Sequence, residues 1–196
     1  MVVIVFGRRG SGKSTLGKYL LRRRVRDQGS IGIMVDTLLE HSDLPLVDLG
    51  NVPHLLSAGY STVVRVAVPD DAAFSQLQRI LADRSIDTPA VDLAIDEVSY
   101  WTKPNQTSPG LSALIRYGRH WRVDLLGIAR RAAETSREFT SQVDRFYIYA
   151  THEPRDLAYF AEIMPADALD GLSKLKPFHY LDVDNAGVWN VNTPIR

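Results

Sequence analysis

The sequence predicts an α/β fold, a mainly parallel sheet with helices on both faces, and three observations predict it. Short apolar runs alternate with amphipathic stretches as far as about Met164, an order in which neighbouring strands must be joined by crossovers. The first run, Val2 to Phe6, leads directly into Gly7-Arg8-Arg9-Gly10-Ser11-Gly12-Lys13-Ser14, which fits GxxxxGK[ST] in full and in the required strand-then-helix setting. A later apolar run, Val91 to Ile95, ends on the adjacent carboxylates Asp96 and Glu97.

The elements follow in order. Ser14 to Arg26 is a helix with Leu16, Tyr19, Leu20 and Val25 on its buried side, ended by Gly29, and its basic face of Arg22, Arg23, Arg24 and Arg26 is expected to be solvated. Ile31 to Val35 is a strand closing at Asp36. Prolines and glycines between Asp43 and Ser61 predict irregular connection, with a short apolar segment at Leu46 to Leu49, before a β-rich run from Thr62 to Val68. Pro69-Asp70-Asp71 opens a helix to about Ala82. Then come a strand at Val91 to Ile95, a helix at Leu111 to Trp121 and a strand at Val123 to Ala129. A short helix at Glu138 to Gln142, a strand at Phe146 to Ala150 and a helix from Pro154 to about Met164 complete the alternation. Phe178 to Val183 and Val188 to Val191, around Asn185-Ala186-Gly187, predict a terminal hairpin. The 196 residues are expected to form a single domain, residues 1–196.

The glycine-rich loop carries a specific chemistry. Glycines at 7, 10 and 12 let successive backbone N–H groups turn inward on an anion, where side chains would block close approach. The helix beginning near Lys13 adds the positive end of its dipole, the Lys13 ammonium can reach the β- and γ-phosphates, and the Ser14 hydroxyl can ligate Mg²⁺. Gly7, Arg8, Arg9, Gly10, Ser11, Gly12, Lys13, Ser14 and Thr15 are therefore the expected nucleotide-binding residues. In a parallel sheet the end of Val91 to Ile95 lies near this loop, which makes Asp96 and Glu97 a Walker B pair: Asp96 for the metal and Glu97 to polarise an attacking water. The fold class is thus a RecA-like (ASCE) P-loop NTPase. With no NKxD sequence and a DE dyad rather than DxxG, ATP is the expected nucleotide. Arg122 before one strand and Arg130-Arg131 after it put guanidinium groups at both ends of the sheet, and a cation at a γ-phosphate lowers the barrier to its transfer. The five histidines show no ligand spacing and are given no metal role.

Composition narrows the classes. Cysteine is absent, which removes disulfides, thiolate metal sites and thiol nucleophiles and agrees with a cytoplasmic setting. No apolar run approaches the ~18 residues of a membrane span, so no stable membrane insertion is expected. Lys plus Arg and Asp plus Glu both total 23, so any DNA contact must come from a local patch.

Beyond the two nucleotide motifs, the segment GRHWRVDLLGIARRA, then Ser141-Gln142-Val143-Asp144, Phe146 to Ala150 and Glu153-Pro154-Arg155-Asp156 occur in an order that resembles the FtsK/HerA superfamily of DNA-pumping ATPases. Within it, the chain resembles the small genome-packaging ATPases of tailless, membrane-containing viruses. The resemblance implies Lys13, Glu97, Arg119 and Arg130 as catalytic, with Arg119 at the position of the family's trans-acting arginine, and Ser14 and Asp96 at the metal. Where many members carry a sensor Gln, this chain has Arg130. The resemblance further implies ATP and Mg²⁺, double-stranded DNA, a homo-oligomeric ring, a capsid or vertex protein as docking partner, host cytoplasm, and a motor without an extra N-terminal domain. The polar stretch from Tyr100 to Pro109, with Trp101 and Lys103, is the expected moving segment. Two other classes share the core: a small-molecule or nucleoside kinase, and a nucleotide-gated phage assembly factor.

Overall fold

A computed structural model describes residues 1–195. The strands are β1 (Val2–Phe6), β2 (Ile31–Val35), β3 (Val63–Val66), β4 (Val91–Ile95), β5 (Thr102–Lys103), β6 (Gln106–Thr107), β7 (Val123–Ala129), β8 (Arg145–Tyr149), β9 (Tyr180–Asp184) and β10 (Trp189–Asn192). The helices are α1 (Lys13–Gln28), α2 (Val52–Ala58), α3 (Asp71–Asp83), α4 (Pro109–Tyr117), α5 (Arg137–Thr140), α6 (Pro154–Ile163) and α7 (Ala166–Ser173). Eight strands form one sheet in the order β10-β9-β8-β1-β7-β4-β2-β3. From β8 to β3 every pairing is parallel, and the tail adds β9 and β10 antiparallel at one edge, as the hairpin pattern predicts.

The register explains the burial. Along β1, Val3 and Val5 face α1, while Ile4 and Phe6 face the other helices. The two faces are covered unevenly. Leu16, Leu20 and Leu21 of α1 pack on one face, whereas α2 through α7 all contribute to the cluster on the other. At Gly17 a methyl group would collide with Ile128 of β7, so this position keeps α1 close against the sheet directly behind the loop. Tyr19, expected on the buried side, is 41% exposed, because it lies two residues after Gly17 and so about 200° around the helix from the side that meets the sheet.

Two connections differ from expectation. The stretch read as irregular contains α2, with Pro53 in its first turn and Gly59 left-handed at its end, and it buries Val52 and Leu56. Trp101, expected in a moving segment, is 3% exposed and lies 4.6 Å from the Phe74 ring, so the short β5–β6 hairpin is anchored at its base. Only its tip, Lys103 to Gln106, is exposed.

The basic face of α1 is also not uniformly solvated. Asp92 of β4 and Asp124 of β7 are register partners. Arg24 bridges them, with Nε 2.8 Å from Asp92 Oδ1 and a terminal nitrogen 2.5 Å from Asp124 Oδ2. Ser30 donates to the other Asp92 oxygen at 2.5 Å. Burial pushes the Asp92 carboxyl above the usual carboxylate range, with Arg24 pulling the other way. Replacing Arg24 by Ala strands a buried charge and should cost about 3 kcal/mol. An acid raised in the folded state stabilises the fold at low pH and costs stability as pH rises through its folded value. The thermal-stability deficit of Arg24→Ala should therefore shrink as pH falls toward the carboxylate range, and Arg24→Met with Asp92→Leu should recover most of it at neutral pH.

Candidate active site

The phosphate loop leaves β1 at the C-terminal edge of the sheet. Gly10 and Gly12 hold φ values of 77° and 95°, left-handed conformations that let the loop curl its amides inward. Lys13 begins α1 and is buried at 8% exposure, while Arg8, Arg9, Gly10 and Thr15 are exposed and Ser11, Gly12 and Ser14 are half-buried. Ser11 Oγ is buried without a hydrogen-bond partner. Tyr149, at the end of β8, donates its hydroxyl to Gly12 O at 3.3 Å and supports the loop from below.

The paired carboxylates arrive from β4, two strands away, with β7 interposed. Glu97 adopts a left-handed backbone (φ 51°), unusual outside glycine. This turn brings its Oε1 to 3.4 Å from Lys13 Nζ and 2.8 Å from Arg130 Nε. Hydrogen bonding and the charge of Glu97 hold the Arg130 guanidinium above its ordinary pKa. Lys13, Glu97 and Arg130, named from separate motifs, thus form one cluster.

Asp96 is held differently, and the holder was not visible in the sequence. His41 Nε2 lies 2.7 Å from Asp96 Oδ2, with both residues buried at 2% and 6% exposure. The other Asp96 oxygen accepts the Glu97 backbone N–H at 3.0 Å. His41 is fixed in turn by Asp36, whose carboxylate accepts the N–H groups of Glu40 and His41 at 2.9 and 3.1 Å and pairs with Arg65 at 3.1 Å. Replacing His41 by Ala frees Asp96 to swing. The Mg²⁺ concentration that half-saturates nucleotide binding, read by calorimetry below the variant's own melting temperature, should rise about tenfold.

The remaining arginines separate by position. Arg131 binds Asp156 at 2.9 Å and Glu153 at 3.0 Å and ties β7 to α6. Arg122, just before β7, donates to the carbonyls of Ile86 and Thr88 at 2.6 and 3.1 Å and holds the turn before β4. Arg119 is exposed, and among the described residues no carboxylate pairs with it. It lines a groove with Met1, Val2 and Val123 at the N-terminal edge of the sheet. The length of β1 puts it roughly 15 Å from its own phosphate loop. The structure therefore does not bring Arg119 to the cluster in the same chain.

A glycine cradle, a buried lysine, two carboxylates on the facing strand and a strand between them define a P-loop ATPase. Comparison with solved structures adds particulars. The chain is similar to the genome packaging NTPase B204 of Sulfolobus turreted icosahedral virus 2, in complex with ATPγS, at 25% identity over 100% of this chain and 97% of that one, with a TM-score of 0.84. The sulfate complex of B204 gives 26% identity, 100% and 96% coverage and a TM-score of 0.84. The pCW3 conjugation coupling protein TcpA, at 16% identity over 96% of this chain and 58% of that one, shares the fold with a TM-score of 0.62. No protein-family model and no curated protein sequence matches the chain. The resemblance to small viral genome-packaging ATPases, expected from motifs as far as about Met164, extends along the whole chain in the likeness to B204.

Proposed function

We propose that this chain is the ATP-hydrolysing motor of a genome-packaging machine, a homo-oligomeric ring that moves double-stranded DNA into a viral capsid in the host cytoplasm. The observation that carries the catalytic part is the placement of Glu97 within reach of both Lys13 and Arg130. The packaging part is supported by the full-length likeness to B204.

In this reading the amides of Gly10 to Thr15 and the Lys13 ammonium hold the β- and γ-phosphates. Ser14 and Asp96 offer a hydroxyl and a carboxylate, oxygen donors of the kind Mg²⁺ takes when phosphates and waters complete its shell. Mg²⁺, when bound, neutralises charge on the phosphates. Glu97 accepts a proton from water as the water oxygen bonds to the γ-phosphorus and the bridge to the β-phosphate breaks. Arg130, paired with Glu97, exchanges that partner for the γ-phosphate of ATP. Arg119 faces away from its own site and reaches the site of a neighbouring subunit.

A carboxylate beside Lys13 can serve attack by water or by a substrate hydroxyl, so the motor is favoured over a kinase by the full-length likeness to B204. Among the described residues no helix is long and apolar enough to cross a membrane. ATP hydrolysis measured with and without double-stranded DNA, with particle mass recorded on the same sample, tests the motor reading. Stimulation by DNA on a ring-sized particle is the expected result. A monomer whose turnover ignores DNA but phosphorylates a metabolite overturns it.

A further inference from the structure

Phe178 stands in the turn between α7 and β9, closed by the His179 N–H on Lys176 O at 3.0 Å. Its φ is 63°, a left-handed conformation that is a true outlier for a bulky side chain, and the ring is 55% exposed. Strain and an apolar ring in water are both unfavourable, and both fall on one residue. That residue borders the phosphate loop: a methyl group at Gly12 would lie 3.7 Å from Phe178 Cδ1 and 3.4 Å from the Tyr149 hydroxyl. Behind it the rings of Tyr149 and Tyr180 meet at 5.5 Å, and Tyr149 is bonded to Gly12 O. Burial pushes the Tyr180 hydroxyl up to about 12 and Tyr149 higher still, so this backing wall is neutral and packed.

We propose that Phe178 is the stacking platform for the nucleobase. The inference rests on the nucleotide-binding reading and deepens it. The loop amides grip phosphates alone, so sugar and base must lie outside the cradle, and a ring face beside Gly12 meets them there. Strained residues concentrate where a ligand uses them. Stacking takes any flat base, because every base has a π-face. The site therefore admits nucleoside triphosphates as a class, with little discrimination between ATP and GTP by this residue.

Inorganic tripolyphosphate, which carries the phosphates without a base, separates the two readings. Calorimetric titration of wild type, Phe178→Ala and Phe178→Trp with a non-hydrolysable ATP analogue, its GTP counterpart and tripolyphosphate is the test. Phe178→Ala should weaken both nucleotides about tenfold and tripolyphosphate less than about twofold, with Phe178→Trp close to wild type. Phe178→Gly guards against a folding artefact: glycine relieves the left-handed turn, so its melting temperature should hold or rise while nucleotide affinity falls. Equal weakening of nucleotide and tripolyphosphate assigns Phe178 to loop support and overturns the proposal, as does unchanged nucleotide affinity. Wild type that binds neither probe overturns the nucleotide reading itself, and this inference with it.

Discussion

Glu97→Gln should retain ATP binding and lose turnover by about 10²- to 10⁴-fold, the usual contribution of a positioned general base. The substitution keeps the size of the side chain and its ability to accept a hydrogen bond from Arg130, now 2.8 Å away, but the amide cannot take up a proton. Single-turnover phosphate release alongside nucleotide binding separates the two effects. The loss should fall on the chemical step with binding equal to wild type or tighter, because Lys13 no longer shares its charge with a carboxylate 3.4 Å away. Turnover at the wild-type rate would remove Glu97 from the chemistry and leave the cluster as a structural ion pair.

Arg119→Ala should lower turnover about 10³-fold in an assembly made of the variant alone, the scale of an arginine supplied across a junction. Its position at the sheet edge opposite the phosphate loop gives the prediction a sharper form. Arg119→Ala mixed with Glu97→Gln should recover turnover that neither variant has alone, since a Glu97→Gln subunit still carries Arg119 and can supply it to a neighbouring site whose Glu97 is intact. A mixture no more active than the separate variants would confine the residue to its own chain, and the groove it lines would then need another explanation. The variant should melt near the wild-type temperature, because the exposed side chain has no carboxylate partner among the described residues to lose.

Residue patterns local in sequence were legible without coordinates. β2, β4 and β7 lie where the apolar runs end and begin, because a strand buried on both faces is written as a near-continuous apolar stretch, interrupted in β4 and β7 only by Asp92 and Asp124. The loop and the carboxylate pair were equally clear, each being a short pattern whose spacing is dictated by one anion. α2 carried its own signals, Pro53 at the start and Gly59 at the stop, yet its seven residues are too few to show a helical period. The bridge through Arg24 was hidden because charge on a helix face is ordinarily solvated, and only the register of β4 with β7 stacks two acids beneath it. His41 was hidden for a similar reason. It follows β2, and its meeting with Asp96 depends on β2 lying next to β4, a fact of sheet order that no stretch of sequence near either residue contains.

In the proposed mechanism the carboxylate shared by Lys13 and Arg130 couples fuel supply to readiness. Both cations take Glu97 Oε1 as their partner, at 3.4 and 2.8 Å. A triphosphate competes for both cations at once, so its arrival is what releases the oxygen to receive a proton. Loading and arming are then a single event, and an idle subunit cannot squander a stray water on a half-filled site.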